Sequence, residues 1–252
     1  MIWPSNCAKT LHQCLAGLIL YGLALCCLAQ TNSQSDPRVS GTTFLSKQLQ
    51  ELQTDASRHP AGLWIERGQT LWQASCASCH GGIASIKLKV GTFPKLSATK
   101  QLVNLEDFIQ SHAATKPSED DVLALSAALH DAAKGERINV SMLEPHYASG
   151  QRLWSTRMGR INLACMHCHD ITQGRVGANM RADVISQAQP TGFPIYRMSW
   201  QTLGTLERRL RACYSGVQAP VPAPGSPELR DLELFLKVRA NGMTIDGPSI
   251  RR

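Results

Sequence analysis

Two stretches of this sequence share the spacing Cys-x-x-Cys-His: Cys76–His80 (CASCH) and Cys165–His169 (CMHCH). This pattern is the attachment signature of haem c. The thiols form thioethers with the porphyrin edge, and the histidine binds the iron as proximal ligand. The alternatives are disulfides or a Cys/His zinc site. The sequence therefore predicts two covalently attached haem c groups. Their attachment thiols are Cys76, Cys79, Cys165 and Cys168, and their proximal histidines are His80 and His169.

One further cysteine, Cys213, remains beyond the N-terminal leader once these four thiols are assigned. Its thiolate would be a strong anionic donor to ferric iron, so Cys213 is the predicted distal ligand of the second haem. Arg209 lies four residues earlier on the same helix face, where its charge favours the thiolate. Arg208 and Arg211 are predicted to lie on a solvated face. The alternatives are a buried structural thiol or a methionine ligand, from Met180, Met198 and Met243.

A thiolate beside a guanidinium also indicates nucleophilic chemistry. Arginine binds oxyanions through two parallel hydrogen bonds. A sulfur oxyanion such as thiosulfate suits this pair, because its terminal sulfur can join Cys213 while Arg209 holds the sulfonate group. Cys213 and Arg209 are therefore the predicted catalytic residues.

The chain contains an internal repeat. Gly68–Trp72 (GQTLW) precedes the first haem motif, and Gly150–Trp154 (GQRLW) precedes the second. Around the first copy, apolar residues recur at helical spacing, which is typical of a buried helix face. The aromatic members are predicted to pack against the haem edge. The residues of this stripe are Leu63, Trp64, Leu71 and Trp72.

The repeat continues into a later helix of each half, within 105–112 and 206–213, with Leu-Glu at the same point. This alignment makes His112 equivalent to Cys213, so His112 is the predicted distal ligand of the first haem. The alternatives for that ligand are His130, His146 and Met142. Asn104 and Asp107 form the predicted cap of the first of these helices. Ser118 and Ser226–Pro227 are predicted to open the last helix of each half.

The elements that must position these residues are therefore mainly helical. The predicted fold class is mainly α, with two tandem cytochrome c-like haem domains after a cleaved signal peptide. The predicted domains are residues 37–140 and 141–252, and the second is the catalytic one. The join is expected near residues 134–144.

Composition and the N-terminus agree with an exported protein. The 252 residues are 43% hydrophobic and 18% charged, as in proteins with an ordinary core. The formal charge is +7, from 26 Lys and Arg against 19 Asp and Glu, but no long basic run supports nucleic-acid binding. Residues 1–29 contain one apolar run, 15–29, that predicts a cleaved signal peptide, with an uncleaved anchor as the alternative.

Several longer stretches resemble the SoxA family of bacterial thiosulfate oxidation. The first half matches more loosely, through GLWIERGQTLW and CASCH. The closer matches are CMHCHD (165–170), QPTGFPIYRMSWQTLG (189–204), RRLRAC (208–213) and GSPELRDLELFL (225–236).

The resemblance implies a periplasmic subunit that pairs with a small monohaem cytochrome c, SoxX. The pair would conjugate thiosulfate oxidatively to a cysteine of the carrier protein SoxYZ, the reaction of an L-cysteine S-thiosulfotransferase. Electrons would leave through the SoxX haem to a diffusible cytochrome c. Carried over by position, the family's cysteine ligand, often a persulfide, is Cys213, and its active-site arginine is Arg209. His112 is a departure, because dihaem members place a cysteine opposite the first haem.

Two other functions use the same motifs. A non-catalytic dihaem electron-transfer cytochrome c would need both haem sites but would leave Cys213 and Arg209 without a role. A haem-based ligand sensor would need a displaceable distal ligand, and it would need an output partner.

Overall fold

Side-chain caps begin four of the nine α-helices that the computed structural model contains in the residues it describes, 36–171 and 185–252. The predicted leader, 1–29, and Met180 lie outside the described residues. Residues 38–252 form one compact, mainly helical unit. None of the helices in the described ranges is long and apolar enough to cross a membrane.

The helices of the first half surround the first Cys-x-x-Cys-His motif. Short 3-10 turns lie at Gly41–Phe44 and Ile83–Ile86, and a two-stranded antiparallel ribbon pairs β1 (Lys95–Leu96) with β2 (Leu102–Val103). The helices are α1 (Lys47–Thr54), α2 (Gly62–Ser75), α3 (Ala77–His80), α4 (Lys87–Val90), α5 (Leu105–His112) and α6 (Glu119–Ala132).

The second half repeats this order around the second motif. A π-helical turn at His167–Ile171 contains the motif's histidine, and three short strands form a sheet in the order β4-β3-β5. Strands β3 and β4 are antiparallel, whereas β3 and β5 are parallel. The elements are α7 (His146–Ser155), β3 (Ile195–Arg197), β4 (Thr202–Gly204), α8 (Leu206–Gly216), α9 (Pro227–Arg239) and β5 (Ser249–Arg251).

Side-chain caps begin the two helices that contain the predicted distal ligands. Asn104 and Asp107 form a reciprocal capping box at α5, which confirms the predicted cap. Thr205 caps α8 by accepting the backbone N–H of Arg208. Ser118 caps α6 in the same way, and Ser226 precedes α9 as predicted but makes no side-chain cap hydrogen bond.

The glycine of each GQxLW repeat lies where two helices cross. A Cβ atom on Gly68 of α2 would stand 2.0 Å from the carbonyl oxygen of Ala124 in α6. A Cβ atom on Gly150 of α7 would stand 2.2 Å from the carbonyl oxygen of Asp231 in α9. The repeat therefore marks two equivalent helix pairs, α2 with α6 and α7 with α9, that touch backbone to backbone.

Gly68→Ala is expected to lower the free energy of unfolding by about 1–3 kcal/mol, because the added methyl group must push the two backbones apart. Gly62→Ala in the same helix is the matched control, since no atom lies within 4 Å of its Cβ position. Chemical denaturation of the two variants measures the difference. Equal stabilities would contradict the close helix crossing.

Helix α9 packs against both halves of the chain. Its Leu234 joins the first core, with Trp72 and Leu129, while Leu232 and Leu236 join the second core around Trp154. A helix with both faces buried connects the two cores, and the boundary expected near residues 134–144 stays a prediction. The expectation that Leu63 belongs to a buried stripe is wrong, because Leu63 is 76% exposed while Trp72 is buried.

Candidate functional site

The first site brings the Nε2 atoms of His80 and His112 close together. Their Nε2 atoms are 3.4 Å apart, and their rings are 5.5 Å apart at their centres. His80 ends α3, which contains the attachment motif, and His112 ends α5. The ring of Phe108 stacks on His112 at 5.0 Å. Two imidazole nitrogens that face one another in this way are a suitable pair for opposite axial positions of one iron.

Two of the alternative ligands for the first haem are engaged elsewhere. His130 is buried, and its Nδ1 donates to the carbonyl oxygen of Ser126 at 2.9 Å. Burial lowers the pKa of His130 to about 3, so this side chain is neutral in the core. His146 contacts Asp231 through a 2.7 Å hydrogen bond, and Met142 is 58% exposed.

The second site brings His169 and Cys213 together. Nδ1 of His169 donates to the carbonyl oxygen of Ser186 at 2.8 Å, which leaves Nε2 as the nitrogen that can bind a metal. His169 also lowers the pKa of Cys213, which lies on α8, the equivalent of α5. The two halves thus place a histidine of the motif opposite the last turns of equivalent helices.

A tryptophan lies beside each motif histidine. In the first half the Trp72 ring is 5.8 Å from His80, and its Nε1 donates to the carbonyl oxygen of Gly81 at 3.0 Å. In the second half the Trp154 ring is 5.7 Å from His169, and its Nε1 donates to Asp170 at 2.7 Å.

An additional cation distinguishes the second half. Arg239 donates to Asp170 at 2.8 Å and lies over the Trp154 ring at 4.6 Å. An open cavity of about 480 Å³ lies beside this group, and Trp154, Met166, Asp170, Phe235 and Arg239 line it together with three polar residues of α7.

Cations stabilise the Cys213 thiolate. Burial, the largest single influence, raises its pKa, but Arg209, His169 and Arg197 together lower the pKa of Cys213 to about 7. Cys165 contrasts with it, because burial and the nearby Cys213 raise the pKa of that thiol to about 12. Without a bound haem, Cys213 is therefore the more acidic of these two thiols.

Arg197 is the site residue that the sequence analysis missed. It lies on β3, sixteen residues before Cys213, and its charge acts on the thiolate. The spacing along the chain gives no helix-face relationship of the kind that pointed to Arg209. The only available signal was its place in the stretch 189–204 that resembles the family.

The other arginines of α8 bind neighbouring loops. Arg208 is exposed, as predicted, and its guanidinium lies 4.4 Å over the Trp200 ring. The expectation of a solvated side chain is wrong for Arg211, which is half-buried and donates to the carbonyl oxygen of Pro222 at 3.1 Å. Of the methionine alternatives, Met243 packs against the first core and Met198 is 45% exposed.

Within the described residues, no disulfide joins the cysteines. In the same ranges, no cluster of three or more His, Cys, Asp and Glu side chains has the geometry of a metal-ion site. The zinc alternative thus gains no support from the geometry. A planar haem, which needs one donor on each side and two thiols at its edge, fits the residues present. Residues that would hold it are Cys76, Cys79, His80 and His112 in the first half, and Cys165, Cys168, His169 and Cys213 in the second.

The helical fold and these two sites define a haem protein of the cytochrome class. A SoxA subunit of L-cysteine S-thiosulfotransferase from Pseudaminobacter salicylatoxidans is 30% identical, over 86% of this chain and 82% of that protein. The chain belongs to the SoxA family.

Further comparisons agree with this assignment. The SoxA subunit from Chlorobaculum tepidum is 30% identical over 77% of this chain and 72% of its own length. The crystal structure of SoxXA from Paracoccus pantotrophus superimposes with a TM-score of 0.78 at 26% identity, covering 85% of this chain and 87% of that one. No model of a known protein family matches the chain.

Proposed function

We propose that this chain is the SoxA subunit of an L-cysteine S-thiosulfotransferase and conjugates thiosulfate oxidatively to a cysteine of a SoxYZ carrier protein. The observation that carries the proposal is the placement of Cys213 on α8, four residues after Arg209 on the same helix face. The charges of Arg209 and Arg197 lower the pKa of its thiol. An electron carrier has no need of a thiolate flanked by two guanidinium groups. Membership of the SoxA family supports the same reaction.

The proposed cofactors are two covalently attached haem c groups. Cys76 and Cys79 attach the first, and His80 with His112 are its axial ligands. Cys165 and Cys168 would attach the second, and His169 and Cys213 would bind its iron. The facing nitrogens of His80 and His112, and the influence of His169 on the pKa of Cys213, support these pairs. When bound, such haems supply acceptors that take up one electron at a time.

The residues around Cys213 suit a dianionic sulfur oxyanion. Arg209 and Arg197 would hold the sulfonate group of thiosulfate, since guanidinium groups pair with such oxygens through charge-assisted hydrogen bonds. Cys213 would then meet the terminal sulfur. Overall, one carrier thiol and one thiosulfate form a sulfur–sulfur bond, and one proton and two electrons leave.

A persulfide on Cys213 allows one residue to serve as iron ligand and as sulfur carrier. Coupling of the Cys213 thiolate with the terminal sulfur of thiosulfate would form a sulfur–sulfur bond and release two electrons. Attack of the deprotonated carrier cysteine on that sulfur would break this bond, transfer the thiosulfonate group and free the Cys213 thiolate. The charges of Arg209 and Arg197 would stabilise the anion before and after the transfer.

The proposed partners follow from the same reaction. A SoxX-like monohaem cytochrome c would form a heterodimer with this chain and pass electrons to a diffusible cytochrome c. The solved relative is itself a SoxXA complex. The proposed location is the periplasm, and residues 1–29 would act as the signal peptide that directs export of the chain. We also propose that residues 37–140 and 141–252 are the two haem domains.

Thiosulfate-dependent reduction of cytochrome c tests the proposal. The purified chain, combined with a SoxX partner and a SoxYZ carrier, should reduce cytochrome c and add thiosulfonate to the carrier cysteine. Mass spectrometry of the carrier measures the product. Electron transfer without any modified carrier would favour the dihaem electron-transfer cytochrome instead.

Removal of one pair of attachment thiols should remove one haem. In Cys76→Ala/Cys79→Ala, the intact mass is expected to fall by one haem, and denaturing gels should still stain for the other. The mature wild-type chain should begin near residue 30 and carry two haem masses. A mass that shows zinc or only disulfides would contradict the attachment.

His112→Met is expected to raise the midpoint potential of the first haem, because a thioether ligand favours the reduced iron. The second haem should keep its potential. Spectroelectrochemistry of the holoprotein measures both values, and His146→Gln is the control because His146 bonds to Asp231 rather than to His80. Low-spin spectra of both haems that stay unchanged in His112→Ala would rule out His112 as the ligand.

A further inference from the structure

One buried arginine of α9 binds the first turns of both helices that contain the proposed distal ligands. Arg230 is only 5% exposed. Its guanidinium donates two parallel hydrogen bonds to Asp107 of α5, one of them 2.7 Å long from Nη2. Nη1 donates to Glu207 of α8 at 2.6 Å. The same side chain therefore contacts α5 and α8 at once.

Both carboxylates lie at equivalent ends of equivalent helices. Asp107 belongs to the capping box of α5, and Glu207 lies in the first turn of α8. His112 follows Asp107 by five residues and Cys213 follows Glu207 by six, which is about 8–9 Å along a helix axis. A short, rigid helix thus connects each contact of Arg230 with one proposed ligand.

Neighbouring bonds fix this group in place. Glu233, one turn after Arg230, accepts from its Nη1 at 3.4 Å and from the Asn104 side chain at 3.0 Å. Asn104 is the N-cap of α5. Glu207 also accepts the backbone N–H of Gly225 at 3.1 Å, which adds the loop before α9.

We propose that Arg230 is a positioning residue that sets α5 and α8 relative to one another, and so places His112 and Cys213 opposite His80 and His169. The inference rests on the proposed axial ligands. A planar guanidinium with five fixed donors holds two carboxylates at defined angles, whereas an ammonium group acts as a point charge. Displacement of either helix breaks hydrogen bonds to a guanidinium that is itself buried.

The test compares four variants of the holoprotein that keep side-chain size nearly constant. Asp107→Asn weakens the contact to α5, Glu207→Gln weakens the contact to α8, and Arg230→Lys keeps the charge but removes the fork. Asp121→Asn is the matched control: Asp121 also lies in a capped first turn and pairs with an arginine, Arg67, but on α6.

Two measurements follow each variant: amide hydrogen exchange of α5 and α8, and the electron paramagnetic resonance signals of the two oxidised haems. Asp107→Asn should speed exchange in α5 at least threefold and shift only the first haem's g values. Glu207→Gln should do the same for α8 and the second haem. Arg230→Lys should speed exchange in both helices and shift the g values of both haems. Asp121→Asn should leave both measurements unchanged.

A general loss of stability would speed exchange throughout the chain and would not separate the two haem signals. Equal effects in all four variants, or wild-type behaviour of Arg230→Lys, would overturn the proposal. If the Arg230→Lys protein does not accumulate, the other two variants decide the test. The proposal then requires that Asp107→Asn affects only α5 and the first haem, and that Glu207→Gln affects only α8 and the second haem. If the resonance signals of the wild-type haems are typical of neither His/His nor His/Cys ligation, the proposed ligands are wrong. The hydrogen-exchange pattern of α5 and α8 would in that case still test the role of Arg230.

Discussion

Cys213→Ala is expected to abolish conjugation of thiosulfate to the carrier. The substitution removes the proposed sulfur-carrying thiolate and the proposed axial ligand in one step, so the spectrum of the second haem should change as well. The first haem should keep its spectrum, since its facing pair is His80 and His112. Initial rates of cytochrome c reduction by thiosulfate, together with ultraviolet–visible spectra, measure both effects.

Ser215→Ala is a suitable control for this variant, because Ser215 lies on the same helix, two residues later, and is exposed. It should conjugate thiosulfate at the wild-type rate. If Cys213→Ala itself turned over at a rate near the wild type, the thiolate would have no catalytic role, and a dihaem electron carrier would be the better account.

Arg209→Ala is expected to slow turnover by roughly 30- to 1000-fold, because loss of one preorganised charge-assisted contact costs about 2–4 kcal/mol in the transition state. Both haems should stay attached. The pKa of Cys213 should rise, since Arg209 is the largest of the influences that lower it. The rising limb of the pH–rate profile should therefore move to higher pH.

Arg208→Ala separates this effect from a general loss of positive charge. Arg208 adjoins Arg209 on α8, but its guanidinium lies over Trp200 and its Nη1 donates to the carbonyl oxygen of Leu203. Its removal should leave the rate within about twofold of the wild type, as expected for an exposed charge. A loss as large as that of Arg209→Ala would mean that net charge, rather than placement, matters.

Short-range spacing was enough to predict the local part of the site. The Cys-x-x-Cys-His motifs place thiols and imidazole within one helical turn, and the helical period places Arg209 beside Cys213. The cap at Asn104 likewise depends on residues within one turn, and the equivalence of His112 with Cys213 follows from the internal repeat. The structure confirms the cap and brings both proposed ligand pairs together.

Contacts between distant parts of the chain were beyond the reach of such patterns. Arg197 acts on Cys213 because β3 pairs with β4, the strand that leads into α8, and a periodicity within one helix carries no information about a strand. The exposure of Leu63 was missed for a similar reason, because the apolar character of a residue does not show whether another part of the chain packs against it.

By itself, then, the sequence determined which haem-binding groups each half contains. Each half has two thiols and an imidazole in one motif, and a candidate distal donor at an equivalent position of a later helix. Only the tertiary structure decided how the halves meet. Arg230 pairs with Asp107 across 123 residues, and α9 joins both cores. The physical reason is that local spacing is set by backbone geometry, whereas contacts between distant segments depend on how whole helices pack to bury their apolar faces and pair their charges.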